Sequence, residues 1–199
     1  MRNHLNSASI IAIVVASFVN VRAQGQAFEK GDQVAGAMIG FLGNYSGYSY
    51  NTGTPAIGLF YEKATNIDVG PGVLGLGGYF GFRHLGYSSD ELYNGIHYSY
   101  DQSWTYLILG ARGAYHYNDW HGSPKWDTYC GLMLHYNVVS YSDNTSYPYG
   151  AAHYSSGSYG GLALSFFLGA RYFFNEKWAF NAELGYGIAT LQLGAAYKF

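Results

Sequence analysis

Charge is scarce in this chain of 199 residues: Asp, Glu, Lys and Arg make up 11% of it, against 19% for Phe, Trp and Tyr. A soluble antiparallel sheet spends charge on its outward face, and this chain has little to spend. The single cysteine, Cys130, excludes an internal disulfide. With Thr128, Leu132 and Leu134 on its own parity it reads as a small hydrophobe and not as a nucleophile. The seven histidines show no HExxH or similar spacing, so neither a metal site nor a cofactor is expected. No apolar run reaches the ~20 residues that a spanning helix needs. The longest, at residues 8–19, lies near the N-terminus.

That run belongs to a targeting segment. Arg2 and His4 precede it, and Val21-Arg22-Ala23 ends in the small residue that a signal peptidase needs, so residues 1–23 read as a cleaved signal peptide. Residues 24–199 then form one domain without linker or charge block. Removing residues 1–23 takes Arg2 and Arg22 from the ten basic residues and nothing from the twelve acids, which leaves a formal charge of −4. A nucleic-acid partner is therefore not expected.

What the chain has is alternation. From Leu164 the apolar residues fall on every second position: Leu164, Phe166, Leu168, then Trp178, Phe180, Ala182, Leu184, then Leu191, Leu193, Ala195. Between them stand Ser165, Gly169 and Arg171, then Asn181 and Glu183, then Gln192 and Gly194, so each strand has one greasy face and one small or polar face. The same period places earlier strands at 33–45, 55–63, 73–84, 104–117 and 126–139. Segments 46–54, 85–103 and 140–161, rich in Tyr, Ser and Gly, read as long loops, and 66–72 and 118–125 as turns. The glycines of 73–84 are not followed by a helix pattern, so a nucleotide loop is excluded. Eight strands result, with long and short connections alternating and both termini at one end. Ten remain open if a long loop holds a further hairpin.

The last eight residues, Gln192 to Phe199, run polar, any, Gly, any, any, aromatic, any, aromatic. This resembles the C-terminal signal of bacterial outer-membrane β-barrels, with Gln192, Gly194, Tyr197 and Phe199 as its marked positions. With the preceding strands, the chain resembles the small outer-membrane barrel family of the OmpA/OmpX type, in its Bacteroidetes version. The resemblance implies an all-β, antiparallel, up-and-down transmembrane barrel in the outer membrane. It also implies outer-membrane lipids and the barrel-assembly machinery as partners.

The inward parity carries Glu62, Arg83, Arg112, Asp127, Arg171 and Glu183, with His116 beside them, and this set is expected as a polar interior core. Eight strands enclose only enough room for side chains, and buried charges persist only when paired. Turn arithmetic pairs Arg171 diagonally with Glu183, and His116 with Asp127. The latter is the best candidate for a base and its orienter, but no serine accompanies it, and Ser165 lies near the other end. No catalytic residue is therefore assigned and no enzyme is expected. The leading expectation is a structural or surface-interaction barrel that meets an extracellular ligand through its Tyr-rich loops. A narrow porin and a lipid A-modifying enzyme are the alternatives.

Deleting Phe199, or changing it to Asp, is expected to block assembly and leave the chain periplasmic and degraded. The check is the level of heat-modifiable, membrane-embedded protein, which should fall sharply.

Overall fold

A computed structural model describes residues 28–43, 50–93, 95–146 and 154–199. The expected signal peptide, and the parts of the Tyr-rich segments that hold Tyr45, Tyr48, Tyr147 and Tyr149, lie outside the described residues. The strands are β1 (Gln33–Phe41), β2 (Thr52–Gly53), β3 (Ala56–Val69), β4 (Gly72–Tyr93), β5 (Ile96–His116), β6 (Trp126–Asp143), β7 (Ser155–Phe173), β8 (Trp178–Gly185) and β9 (Leu191–Lys198). Every pairing is antiparallel. β1 lies between β3 and β9, and β4 joins β3 to β5, so eight strands close into an up-and-down barrel. The two-residue β2 adds only to Leu85 and Gly86 of β4.

Alternation builds two surfaces. Outward positions such as Ile57, Leu76, Phe80, Leu109, Leu132, Phe166 and Phe180 are exposed and apolar, and they form a continuous belt. A tilted strand needs about 9–11 residues to cross a hydrocarbon layer, and the longer strands β3 to β7 exceed that length. Paired rings edge the belt at the end that holds both termini: Trp126 with Tyr172 (5.0 Å) and Trp178 with Tyr197 (5.0 Å).

Inside, glycines face rings. Gly169 is the register partner of Tyr129, and Gly131 of Phe167. A Cβ at either glycine would collide with the ring opposite, so the missing side chain is what lets an aromatic lie flat across the neighbouring strand.

The strands run further than their sequence boundaries suggest, and the loops are correspondingly shorter. Residues 85–103, expected as a loop, are the upper parts of β4 and β5, paired without interruption to a turn between Tyr93 and Ile96, with Gly95 at φ 79°. The Tyr-rich composition favours strand when a partner in register is present, and Asn94-Gly95 is a hairpin signal. Likewise β3 continues to Val69, opposite Gly72, so the turn expected over 66–72 shrinks to Gly70-Pro71. β6 reaches Asp143 and β7 begins at Ser155, inside the expected loop 140–161. The first strand is shorter than expected: it stops at Phe41, where Leu42 (φ 61°) and Gly43 (φ 103°) turn the chain away. β8 and β9 have eight residues each, so the barrel has a high side, β4 to β7, and a low side.

Both ends of the interior are filled. At the end of the termini, Phe28 from the lead-in is 2% exposed; at the other, Ile188 and Ala189 of the β8–β9 connection are buried.

A lipid-facing belt makes Leu109→Arg, at mid-strand and 70% exposed, cost roughly 2–4 kcal/mol. His97→Arg, on the same strand above the belt, should stay within about 0.5 kcal/mol. Refolding titrations in lipid vesicles measure both.

Candidate functional site

Period two places every charged interior residue by parity alone. Glu62 comes from β3, Arg112 and His116 from β5, Asp127 and Tyr129 from β6, Arg171 from β7, and Asn181 and Glu183 from β8. All eight are buried. Arg171 donates to Glu62 (2.7 Å) and Asp127 (3.2 Å) through its terminal nitrogens, and to Asn181 (3.0 Å) through Nε. Arg112 grips Glu183 with two bonds, 2.7 and 3.3 Å. The Tyr129 hydroxyl is 2.8 Å from Glu183 Oε1 and 2.9 Å from Asn181 Oδ1. The guanidinium of Arg171 lies 4.4 Å from the Tyr129 ring and that of Arg112 4.1 Å from Phe167.

His116 sits between two carboxylates, with Nδ1 2.7 Å from Asp127 and Nε2 bonded to Glu62. Neither carboxylate can donate when ionised, so both bonds form only if the ring donates from both nitrogens, as imidazolium. Three positive groups then face three carboxylates, which is the balance that a buried ionic set requires. A ring in this state has no lone pair to offer as a base. The network does structural work, and Phe28 closes it with a ring 4.3 Å from that of His116.

The expected partner of Arg171 is corrected. The register does set Arg171 opposite Asn181 and diagonal to Glu183, yet Glu183 turns to Arg112 and Tyr129, and Arg171 turns to Glu62 across the lumen. In a barrel this narrow the opposite wall is as near as the next strand, and turn arithmetic counts only neighbours in the sheet. Arg83 also stands apart from the cluster: it is half-buried at the opposite end and donates to the Gly43 carbonyl at 3.0 Å. The sequence reading missed Phe28, whose only signal is a lone aromatic in a polar lead-in. It placed Ser165 near the other end but missed that His135 and Asn137 meet it there as a second polar group.

The high side carries its own features. On its inner face Trp104 packs against Tyr50 (5.3 Å) and Tyr141 (5.2 Å). Asp143 accepts from Gln102 (3.0 Å) and Tyr141 (2.9 Å). β7 pairs with β6 along residues 155–172 but with β8 only from Phe167, so among the described residues 155–165 form a sheet edge with no partner. Residues 84–111 and 134–170 contain no Lys or Arg, whereas Asp90, Glu91, Asp101 and Asp143 are all there.

No protein-family model matches the chain, and no curated protein does. Solved structures do. The chain is similar to Ail, the attachment invasion locus protein of Yersinia pestis, at 17% identity over 86% of this chain and 100% of that one, with a TM-score of 0.51. It is similar to the same protein in complex with the heparin analogue sucrose octasulfate at 17% identity, with the same coverage and a TM-score of 0.52. The Yersinia pestis outer membrane protein Ail in a phospholipid bilayer nanodisc matches more loosely, at 15% identity, the same coverage and a TM-score of 0.44. At such identities the likeness is one of fold: the eight-stranded barrel.

Glu183→Ala removes both hydrogen-bonded contacts of buried Arg112 and leaves it only Glu62 at 4.0 Å, and it is expected to cost about 3–5 kcal/mol. Adding Arg112→Met should recover much of that loss. A double-mutant cycle in lipid vesicles is expected to show stronger coupling of Glu183 to Arg112 than to Arg171.

Proposed function

We propose that the chain is an integral outer-membrane β-barrel with a side-chain-filled interior, whose raised sheet β4–β7 is a binding surface at the cell exterior. The observation that carries this reading is that four strands continue beyond the apolar belt as one sheet, whose edge at residues 155–165 has no partner among the described residues. Such an edge accepts an added strand through main-chain bonds. Surface interaction therefore passes to raised strands, with Tyr87, Tyr98, Tyr100 and Tyr159 on them, where the sequence suggested Tyr-rich loops.

The sulfated ligand of Ail is a polyanion. The raised sheet here holds four acids and no Lys or Arg beyond Arg83 at its base, so the partner is a neutral or cationic protein surface. The ionic network, with Phe28 and Ile188 seated in the two ends, supports a filled interior over a narrow porin. Export through the signal peptide at residues 1–23 precedes assembly. Gln192, Gly194, Tyr197 and Phe199 serve as the signal read by the assembly machinery, in the Bacteroidetes version of this barrel. In the folded barrel Gln192 accepts from Tyr79 at 2.6 Å, and the Phe199 amide bonds the Gln33 carbonyl at 2.9 Å.

Planar bilayers with purified protein are expected to show no steady conductance. In a Cys130→Ala background, Tyr159→Cys should take a membrane-impermeant maleimide on intact cells and Lys177→Cys should not. Gly157→Lys with Gly161→Lys, charges that blunt an edge, should lower the adhesion of intact cells to surfaces coated with a cationic protein. Steady conductance, or labelling at Lys177→Cys, would overturn the reading.

A further inference from the structure

His135 and Asn137 on β6 and Ser165 on β7 share the inner face, and Met133 and Ala163 are the register partners of Ser165 and His135. His135 is 4% exposed and Ser165 5%. His135 Nε2 is 2.7 Å from Ser165 Oγ, and Nδ1 is 3.0 Å from Asn137 Oδ1. The amide oxygen of Asn137 can only accept, so Nδ1 carries the proton. Nε2 is left with its lone pair toward the serine hydroxyl, which donates to it. A nucleophile bonded to a base, and a base bonded to an orienting group, is the arrangement that activates serine. His116, with a carboxylate on each nitrogen, is the opposite case.

A cavity of about 440 Å³ opens onto these residues and is also lined by Leu164, Tyr186, Gly187 and Thr190. It lies where the wall is interrupted: β7–β8 pairing ends at Phe167 and Gly185, and above that level the β8–β9 connection stands beside β7. Leu164 and Tyr186, 68% and 78% exposed, belong to the outward surface. Leu164 lies on β7, and Tyr186 directly follows the end of β8. The cavity is therefore lined both by the buried serine and by residues of the outward surface, and it opens sideways through the barrel wall.

We propose that Ser165, His135 and Asn137 are a hydrolase site for fatty-acid esters of membrane lipids, entered through this lateral opening. Ser165 Oγ attacks the ester carbonyl carbon as its proton passes to His135 Nε2. The carbon–alkoxy bond then breaks, and the leaving alkoxide takes that proton and departs as the alcohol. Water adds to the acyl-Ser165 carbonyl, giving a proton to Nε2, which returns it to Oγ as the free fatty acid leaves. Asn137 is a positioning residue that holds the tautomer. The activity goes beyond surface binding, and it needs no partner protein.

Refolded full-length protein in detergent is treated with a fluorophosphonate probe, and fatty acid released from phosphatidylethanolamine vesicles is measured on the same preparations. Heat-modifiability confirms that each variant is folded. Label is expected on Ser165 by peptide mass, with none in Ser165→Ala and full labelling in Ser158→Ala. His135→Gln should lower release roughly a hundredfold or more. Asn137→Leu should lower it too. Asn137→Asp should keep activity but move the acid limb of its pH profile upward, because a carboxylate favours the imidazolium and the reaction needs the neutral ring. Folded wild-type protein without label at Ser165 overturns the proposal. Label without release of fatty acid overturns the lipid assignment.

Discussion

Closure of the sheet is the constraint on which the rest depends. With β1 on β9 and β4 on β5, the described strands close into a ring that is paired on both sides along most of the belt, which is the condition for strands to sit in hydrocarbon. Closure at eight strands encloses a space about wide enough for side chains to fill. Because strands alternate, whatever fills it must come from the same residues that leave apolar neighbours outside. Charged and aromatic side chains, with glycines making room for rings, fill it here.

That filling is divided along the axis. Near the termini, carboxylates and cations satisfy one another almost completely, and Phe28 seals them from below. Such a set contributes little stability relative to an apolar core, since desolvation offsets most of the attraction. It does penalise any register in which one member loses its partner. A strand slip of one residue sends the whole inward set outward. Near the other end the packing is looser, the low wall ends, and a hydroxyl, an imidazole and an amide meet beside a lateral opening. The neutralised half and the open half have different capacities: the imidazolium of His116 has no lone pair, whereas the Nε2 lone pair of His135 meets a serine hydroxyl.

Much of this was legible in the sequence, for a physical reason. A wall with lipid outside and side chains inside enforces strict period two, so Leu109, Leu134, Arg112 and Glu183 could be assigned faces from parity alone. Strand ends were less legible. Above the belt nothing demands an apolar residue at every second position, and Tyr, Ser and Gly serve equally in a strand or a loop, so residues 85–103 read as a loop although they form a hairpin. Pairings across the lumen were not legible at all. The bonds of Arg171 to Glu62 and of Arg112 to Glu183 depend on barrel diameter and strand shear, which no count along a turn contains. Phe28 and the His135–Ser165 contact escaped for related reasons: one precedes the first strand, and the other joins residues that turn arithmetic across 140–161 could not bring together.

The long hairpin of β4 and β5 has a mechanical consequence. Its 21 consecutive register pairs run from the tip down into the barrel wall, with no bulge or break among them. A load applied at the tip along the strand direction is shared by many main-chain bonds in parallel and carried into a closed ring, which has no hinge at which to yield. Pulling the two strands apart sideways at the tip would instead open the ladder one pair at a time. The same protein would then hold firmly against one direction of pull and release under another, and which of the two a bound partner meets is set by the tilt at which the sheet leaves the belt.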